Sequence, residues 1–149
     1  YRNPSSIETV TEKVVDEHGN IRTDENGYMN GPDVFNFVIQ EIPQDIKRLY
    51  EFSQKAPEDI DYFVFHQANR YMNAYLAKKL KLDVTKTPTC LEFFGNTSSV
   101  SIPLTIVTQL KNSFESKKQL LLSGFGVGMS WASAIITLDN CNICDLIEI

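Results

Sequence analysis

Two polar side chains and one glycine-rich segment are the parts of this sequence whose chemistry could support a reaction. His66, one of two histidines, directly follows the bulky apolar residues 63–65. Asn96 lies in the polar segment Gly-Asn-Thr-Ser-Ser at 95–99, and glycines alternate with larger residues at 124–128. A neutral imidazole, a carboxamide and backbone amides can all donate hydrogen bonds to an oxygen that becomes negative during a reaction. The residue types therefore indicate a site that stabilises a developing oxyanion.

Each feature also has a purely structural explanation. A histidine at the end of a strand can be a hydrogen-bonded structural residue. The Gly95-Asn96 pair can be a turn with an N-cap, and residues 124–128 can be a tight hairpin. No Ser-His-Asp order and no acid pair stands out in the sequence. The hypothesis of an anion-stabilising site therefore depends on the three features together.

The sequence does not indicate a metal site or a disulfide framework. Cys90 stands alone, whereas Cys141 and Cys144 form one CxxC pair without a second pair or nearby histidines, which is a weak zinc signal. An odd number of cysteines without secretion marks favours a reducing compartment, so we expect a cytoplasmic protein.

Length and charge limit the classes of function. The 149 residues, 42% of them hydrophobic, are enough for one globular domain with a core. A net charge of −5 disfavours nucleic acid and anionic membranes as partners. No apolar run approaches the about 20 residues of a membrane span. We therefore expect neither a nucleic-acid nor a membrane partner.

The elements that must position these residues follow from apolar periodicity and turn signals. A polar, turn-rich segment with at most a weak hairpin is expected at residues 1–29. Pro43 falls inside the first helical pattern and predicts a kink or two consecutive helices. The later elements, in chain order, are a helix from residue 30, a strand at 60–65, a helix at 68–80, a short strand at 87–91, a helix after Asn96, a strand at 119–123 and a strand at 129–138.

This order predicts an α/β fold with a mainly parallel sheet that ends in an antiparallel hairpin and carries helices on its faces. Functional sites in open α/β sheets form beyond the carboxyl ends of the strands. His66, Asn96 and the glycine turn at 124–128 each follow a predicted strand. We therefore expect them to meet at one end of the sheet.

Taken together, the motifs resemble the β-ketoacyl-acyl-carrier-protein synthase III family of thiolase-like condensing enzymes. The similarity runs from about Met29 to Leu138 and is carried by His-Gln-Ala-Asn at 66–69, by residues 95–99 with Pro103, and by residues 124–128 with Trp131. It implies a fold of two similar halves, of which this chain resembles the C-terminal one. The expected organisation is a segment at 1–29, the C-terminal synthase domain at 30–140 and an extension at 141–149.

The resemblance implies an acyltransferase that performs a decarboxylative Claisen condensation. An acyl group passes from acyl-CoA to a cysteine, and malonyl-acyl carrier protein then loses carbon dioxide and attacks the acyl-enzyme. The implied partners are these two substrates and the N-terminal half of the same enzyme, in a homo-oligomer. No resident cofactor is expected besides the coenzyme A and phosphopantetheine groups of the substrates. The resemblance therefore implies a role in lipid metabolism. It leaves open whether the product enters fatty acid biosynthesis or a specialised pathway.

Carried over by position, the resemblance gives roles to eight residues. His66 and Asn96 would bind the malonyl thioester carbonyl and stabilise the enolate. The backbone N–H of Val127, beside Gly126, would form half of an oxyanion hole. Substrate-side contacts are implied for Gln67, Asn69, Arg70 and Phe94.

The sequence departs from the family pattern in places that matter for function. Val127 stands where the family usually has glycine, and Tyr71 stands where an arginine for carrier-protein contact is often found. The nucleophilic cysteine belongs to the N-terminal half, and none of the three cysteines here fits that role. We therefore expect this chain alone to be inactive and its uncovered apolar face to favour self-association.

Two other interpretations remain open from the sequence. The chain could be a non-catalytic acyl-binding or partner half-domain that pairs with a separate chain. It could also be a plain α/β domain whose motifs are coincidental.

Overall fold

The computed structural model describes residues 5–26, 29–126 and 128–147. The chain divides into two compact units, Tyr1–Gly31 and Pro32–Ile149. In the described part of the chain, no helix combines the length and apolar character needed to cross a bilayer.

The first unit contains a short helix and a two-stranded hairpin. Helix α1 (Ile7–Val10) is capped by the Ser6 side chain, which accepts from the Thr9 N–H. Strands β1 (Lys13–Val14) and β2 (Ile21–Arg22) pair antiparallel. All four strand residues are exposed, so the hairpin adds little to a core.

Helix α2 (Gly31–Ser53) belongs to the second unit from Pro32 onward. Its buried face carries Val38, Ile42 and Ile46 at a spacing of four residues. Pro43 lies inside this helix and does not divide it into two, contrary to one of the two outcomes predicted from the sequence. Proline removes a single backbone donor, whereas the buried stripe continues on both sides of it. Packing of that stripe therefore keeps the helix in one piece.

The sheet of the second unit confirms the predicted fold class. Strand β3 (Tyr62–Phe65) pairs parallel with β4 (Lys118–Gly126), which pairs antiparallel with β5 (Ser130–Leu138). Parallel pairing requires a crossover, and three helices lie between β3 and β4: α3 (Arg70–Lys79), α4 (Leu91–Phe94) and α5 (Ser101–Gln109).

Both faces of the sheet are covered by apolar side chains. Phe63 and Phe65 point into a cluster with the buried faces of α2 and α3, which includes Leu76. Val64 points the opposite way, into a cluster with Leu110 and other residues that follow α5. The alternation explains why the Tyr-Phe-Val-Phe run is apolar throughout, because β3 is buried on both sides.

One predicted strand is wrong. Residues 87–91 form no strand; the chain passes through an irregular segment and enters α4 at Leu91. Pro88 has no N–H for a strand ladder. The Cys90 N–H donates instead to the Gln67 side chain, at 3.2 Å. A side-chain acceptor thus takes the place of a neighbouring strand.

Candidate functional site

His66 leaves the sheet directly beyond β3. Its backbone N–H donates to the Ser123 carbonyl at 2.8 Å, which continues the β3–β4 ladder by one residue. Its ring packs edge-on against Phe125 of β4, with centroids 5.5 Å apart and planes at 84°. Strand β4 therefore holds both the backbone and the ring of this histidine.

The imidazole is also held by the start of α5. Nδ1 lies 2.7 Å from the Ser101 hydroxyl, and the same hydroxyl accepts the Gln67 N–H at 3.2 Å. Ser101 is buried, whereas the His66 ring is half-buried. One edge of the ring is thus anchored in the protein.

The site favours the neutral form of the imidazole. Burial lowers the pKa of His66 from its ordinary value of 6.5, because the charged ring loses hydration. A hydrogen bond with the Ser98 backbone acts in the opposite direction and is the smaller effect. At neutral pH the ring is therefore uncharged and presents one N–H donor.

The lowered pKa predicts a pH dependence of stability. Below pH 6.5 the unfolded chain takes up a proton at this position before the folded chain does. The free energy of unfolding should therefore fall as the pH drops from 6.5 to the folded-state pKa, and be unaffected by this group above 6.5. Urea unfolding of the chain and of His66→Gln at a series of pH values tests this. Equal pH slopes in the two proteins would contradict it.

Asn96 lies in a tight loop between α4 and α5. Its Oδ1 accepts the Ser98 N–H at 2.9 Å, and its Nδ2 donates to the Ala68 carbonyl at 3.3 Å. Gly95 adopts φ 62° and ψ −153°, a conformation that is essentially restricted to glycine. The loop therefore directs an exposed carboxamide toward the segment that follows His66.

The structure thus brings together the two segments that carry the predicted catalytic pair. Asn96 contacts Ala68, two residues beyond His66, and the Ser98 backbone contacts both the His66 ring and the Asn96 side chain. A carboxamide nitrogen has two hydrogens, so Nδ2 can serve a ligand while it holds Ala68. The arrangement can present an imidazole N–H and an amide N–H from adjoining loops.

Gln67 has a different environment from the one its predicted substrate contact requires. The residue is fully buried, its Nε2 donates to the Phe65 carbonyl at 2.8 Å, and its Oε1 accepts from Thr89 Oγ1 at 2.8 Å. Oε1 also accepts the Cys90 N–H. This carboxamide connects the end of β3 to the segment that leads to Asn96, and we assign it a supporting role.

Three other predicted contact residues lie around the same loops. Asn69 is the N-cap of α3 and accepts the Met72 N–H at 2.8 Å. Arg70 is the first residue of that helix and is exposed. Phe94 ends α4 and is half-buried. Their predicted contacts with substrate stay predictions.

The cap at Asn69 predicts a modest effect on stability. Asn69→Ala removes the acceptor for the Met72 N–H and should cost about 1 kcal/mol of unfolding free energy, measured by urea denaturation. Asn69→Asp keeps a capping oxygen and should retain most of the stability. Equal destabilisation by both substitutions would show that the side chain does something other than cap the helix.

The glycine-rich segment is mostly strand. Residues Gly124 to Gly126 complete β4 and pair with β5, where Phe125 lies opposite Trp131. The turn is therefore shorter than the sequence predicted. Val127, the predicted oxyanion-hole amide, lies outside the described residues, and Gly126 directly precedes it at the end of β4.

The three cysteines are free thiols. Cys90 is fully buried, with its sulfur 3.2 Å from the Thr105 hydroxyl, so it is not placed to accept an acyl group. Cys141 and Cys144 are more accessible and lie beyond β5. In the part of the chain that the structure describes, no group of three metal-ligating side chains occurs.

Two supporting residues were not predicted from the sequence. The Ser101 hydroxyl is hydrogen-bonded to the His66 ring. The Thr105 hydroxyl is hydrogen-bonded to the Ser101 carbonyl and to the Cys90 sulfur. Both residues are buried, and they are one helical turn apart in α5. Their signal in the sequence was a polar pair four residues apart in the apolar first part of the helix.

Comparison with known proteins agrees with the motifs. The family model for the C terminus of 3-oxoacyl-[acyl-carrier-protein (ACP)] synthase III matches residues 51–138. The β-ketoacyl-[acyl-carrier-protein] synthase III of Lactococcus lactis subsp. cremoris (strain SK11) is 37% identical over 113 residues, which cover 74% of this chain and 35% of that protein.

Solved structures give the same result. A 3-oxoacyl-(acyl-carrier-protein) synthase III superimposes with a TM-score of 0.79 and 42% identity, covering 91% of this chain and 40% of that one. The 3-oxoacyl-(acyl-carrier protein) synthase of Burkholderia xenovorans LB400 superimposes with a TM-score of 0.76 and 41% identity, over 79% of this chain and 34% of that one.

The chain spans about a third of the length of the curated relatives it matches. The family model nevertheless covers more than half of the 149 residues, and the fold and the motifs agree with it. The chain therefore belongs to the 3-oxoacyl-acyl-carrier-protein synthase III family and corresponds to its C-terminal part.

Proposed function

We propose that this chain supplies the enolate-stabilising side of the active site in a β-ketoacyl-acyl-carrier-protein synthase III. The complete enzyme condenses an acyl-CoA with malonyl-acyl carrier protein and releases carbon dioxide. The observation that carries the proposal is the position of the His66 ring and the Asn96 carboxamide on adjoining loops, linked through Ser98 and Ala68.

The reaction needs hydrogen-bond donors that are in place before charge develops. When the malonyl C–C bond breaks, its electron pair moves toward the thioester carbonyl, whose oxygen becomes an enolate oxygen. The enolate carbon then attacks the acyl-enzyme carbonyl, and the cysteine leaves as a thiolate. Fixed donors at the enolate oxygen lower the barrier without reorganising during the reaction.

A neutral histidine suits this task. It donates a hydrogen bond without transferring its proton to the enolate, and the lowered pKa keeps the ring neutral at physiological pH. The apolar Phe125 ring against the imidazole reduces the local polarity, which strengthens hydrogen bonds to a charged oxygen. These features support His66 and Asn96 as the catalytic pair.

The nucleophilic cysteine comes, in this proposal, from the N-terminal half of the enzyme. Cys90 is buried and bonded to Thr105, so this chain alone does not form the acyl-enzyme. Acyl-CoA and malonyl-acyl carrier protein are the proposed substrates, the assembled enzyme is a homo-oligomer, and no cofactor is required beyond the groups that the substrates carry.

A chimera tests the proposal. In it, this chain replaces the corresponding C-terminal part of the Lactococcus lactis synthase III, and carbon dioxide release and product are measured with malonyl-acyl carrier protein and a series of acyl-CoA primers. We expect condensation by the chimera and none by the chain alone. Cys90→Ala in the chimera is the matched control and should keep the activity. A folded chimera without condensation, or condensation by the isolated chain, would overturn the proposal.

A further inference from the structure

The Ser101 hydroxyl contacts both the His66 imidazole and the backbone of the next residue, Gln67. The residue begins α5 and is 1% exposed. Its Oγ lies 2.7 Å from His66 Nδ1 and 3.2 Å from the Gln67 backbone nitrogen. These two partners are adjacent in sequence and are separated from Ser101 by more than thirty residues, so the contacts depend on the tertiary fold.

The hydrogen atoms in this contact can be assigned by counting donors and acceptors. A serine hydroxyl has one proton and two lone pairs. The Gln67 N–H can only donate, so it uses a lone pair of Oγ. Among the contacts that the structure describes for Oγ, only His66 Nδ1 can then accept the hydroxyl proton.

The opposite arrangement is less favourable. A proton on Nδ1 would point toward Ser101 Oγ, 2.7 Å away. The Ser101 hydroxyl proton would then have no acceptor at a buried position, and buried polar hydrogens are rarely left without a partner.

We infer that Ser101 is a positioning residue, which donates its hydroxyl proton to Nδ1 and thereby holds neutral His66 in the tautomer with its proton on Nε2. The inference about the tautomer is independent of the reaction. Its catalytic meaning rests on the function proposed above, because the Nε2–H is then the one donor that the ring can share between the Ser98 backbone and a substrate carbonyl oxygen.

Nitrogen NMR on the 149-residue chain reads the tautomer directly. The ¹⁵N-labelled chain is measured by long-range ¹H–¹⁵N correlation at a pH where His66 is neutral. A His18→Gln variant assigns the signals, because only two histidines are present. We expect Nδ1 of His66 to resonate as an unprotonated nitrogen and Nε2 as a protonated one.

Three serine variants test whether the effect on the tautomer is specific to the Ser101 hydroxyl. Ser101→Ala should shift the two His66 nitrogen signals toward each other, because both tautomers become populated. Ser99→Ala alters an exposed serine of the preceding turn and should leave them unchanged. Ser101→Cys retains a weak donor and should give an intermediate shift; it also serves if the alanine variant does not fold.

Two outcomes of the NMR experiment would contradict the inference. A protonated Nδ1 in the unsubstituted chain contradicts it without any variant. Unchanged nitrogen signals in a folded Ser101→Ala protein would also contradict it. Because this readout needs no substrate, an inactive chimera with the Nε2–H tautomer intact would refute the proposed function alone.

Discussion

Replacing His66 by alanine in the chimeric enzyme should lower the rate of malonyl decarboxylation by roughly 10²–10³-fold, the usual cost of removing one oxyanion donor. The loss should appear mainly in kcat, because the hydrogen bond strengthens as the enolate forms. Carbon dioxide release from malonyl-acyl carrier protein measures this step without the acyl primer. The matched control is His18→Ala, which removes the other histidine of the chain, in the first unit.

Asn96 should show a similar loss, and its variants separate donation from loop support. Asn96→Asp keeps an oxygen for the Ser98 N–H but removes the Nδ2 donor and adds a negative charge near the enolate. It should therefore be no more active than Asn96→Ala. Exposed Asn112→Ala is the matched control. An aspartate variant with the activity of the unaltered chimera would exclude donation by this side chain.

Gln67→Ala should be the most destabilising single change among the site residues, by about 3 kcal/mol of unfolding free energy. The substitution leaves the Cys90 N–H, the Thr89 hydroxyl and the Phe65 carbonyl without their partner and opens a cavity where the side chain is fully buried. Urea denaturation of the chain, followed by circular dichroism, measures the change.

Two further glutamine variants identify the cause. Gln67→Leu fills most of the volume but restores none of the three hydrogen bonds, so it should remain clearly destabilised. Gln109→Ala alters an exposed glutamine at the end of α5 and should have little effect. A fully stable Gln67→Leu would show that volume, rather than hydrogen bonding, makes this position important.

The sequence predicted the parts of the fold that depend on local patterns. The end of the apolar run at Phe65 located His66 beyond a buried strand, and the glycine at 95 located the Asn96 loop, because both signals are carried by adjacent residues. The predicted strand at 87–91 was wrong for two reasons. Pro88 has no N–H for a strand ladder, and Gln67, 23 positions away, supplies the acceptor for the Cys90 N–H.

The supporting residues could not be assigned in the same way. Gln67 belongs to a polar stretch that is typical of an accessible loop, and only the packed structure shows that it is fully buried. Ser101 contacts His66 across 35 positions of the chain, so no local spacing connects the two. The catalytic candidates could therefore be predicted from the sequence, whereas the residues that hold them in place could not.

The place of β3 in the sheet has a consequence for handling the isolated chain. This strand pairs with β4 on one side and is one of the two outer strands of the three-stranded sheet, yet Phe63, Val64 and Phe65 are at most 3% exposed. An outer strand can accept a strand from another molecule only where its edge is accessible. Because packing within the chain covers β3, we expect no intermolecular extension of the sheet at this strand, even in concentrated solutions.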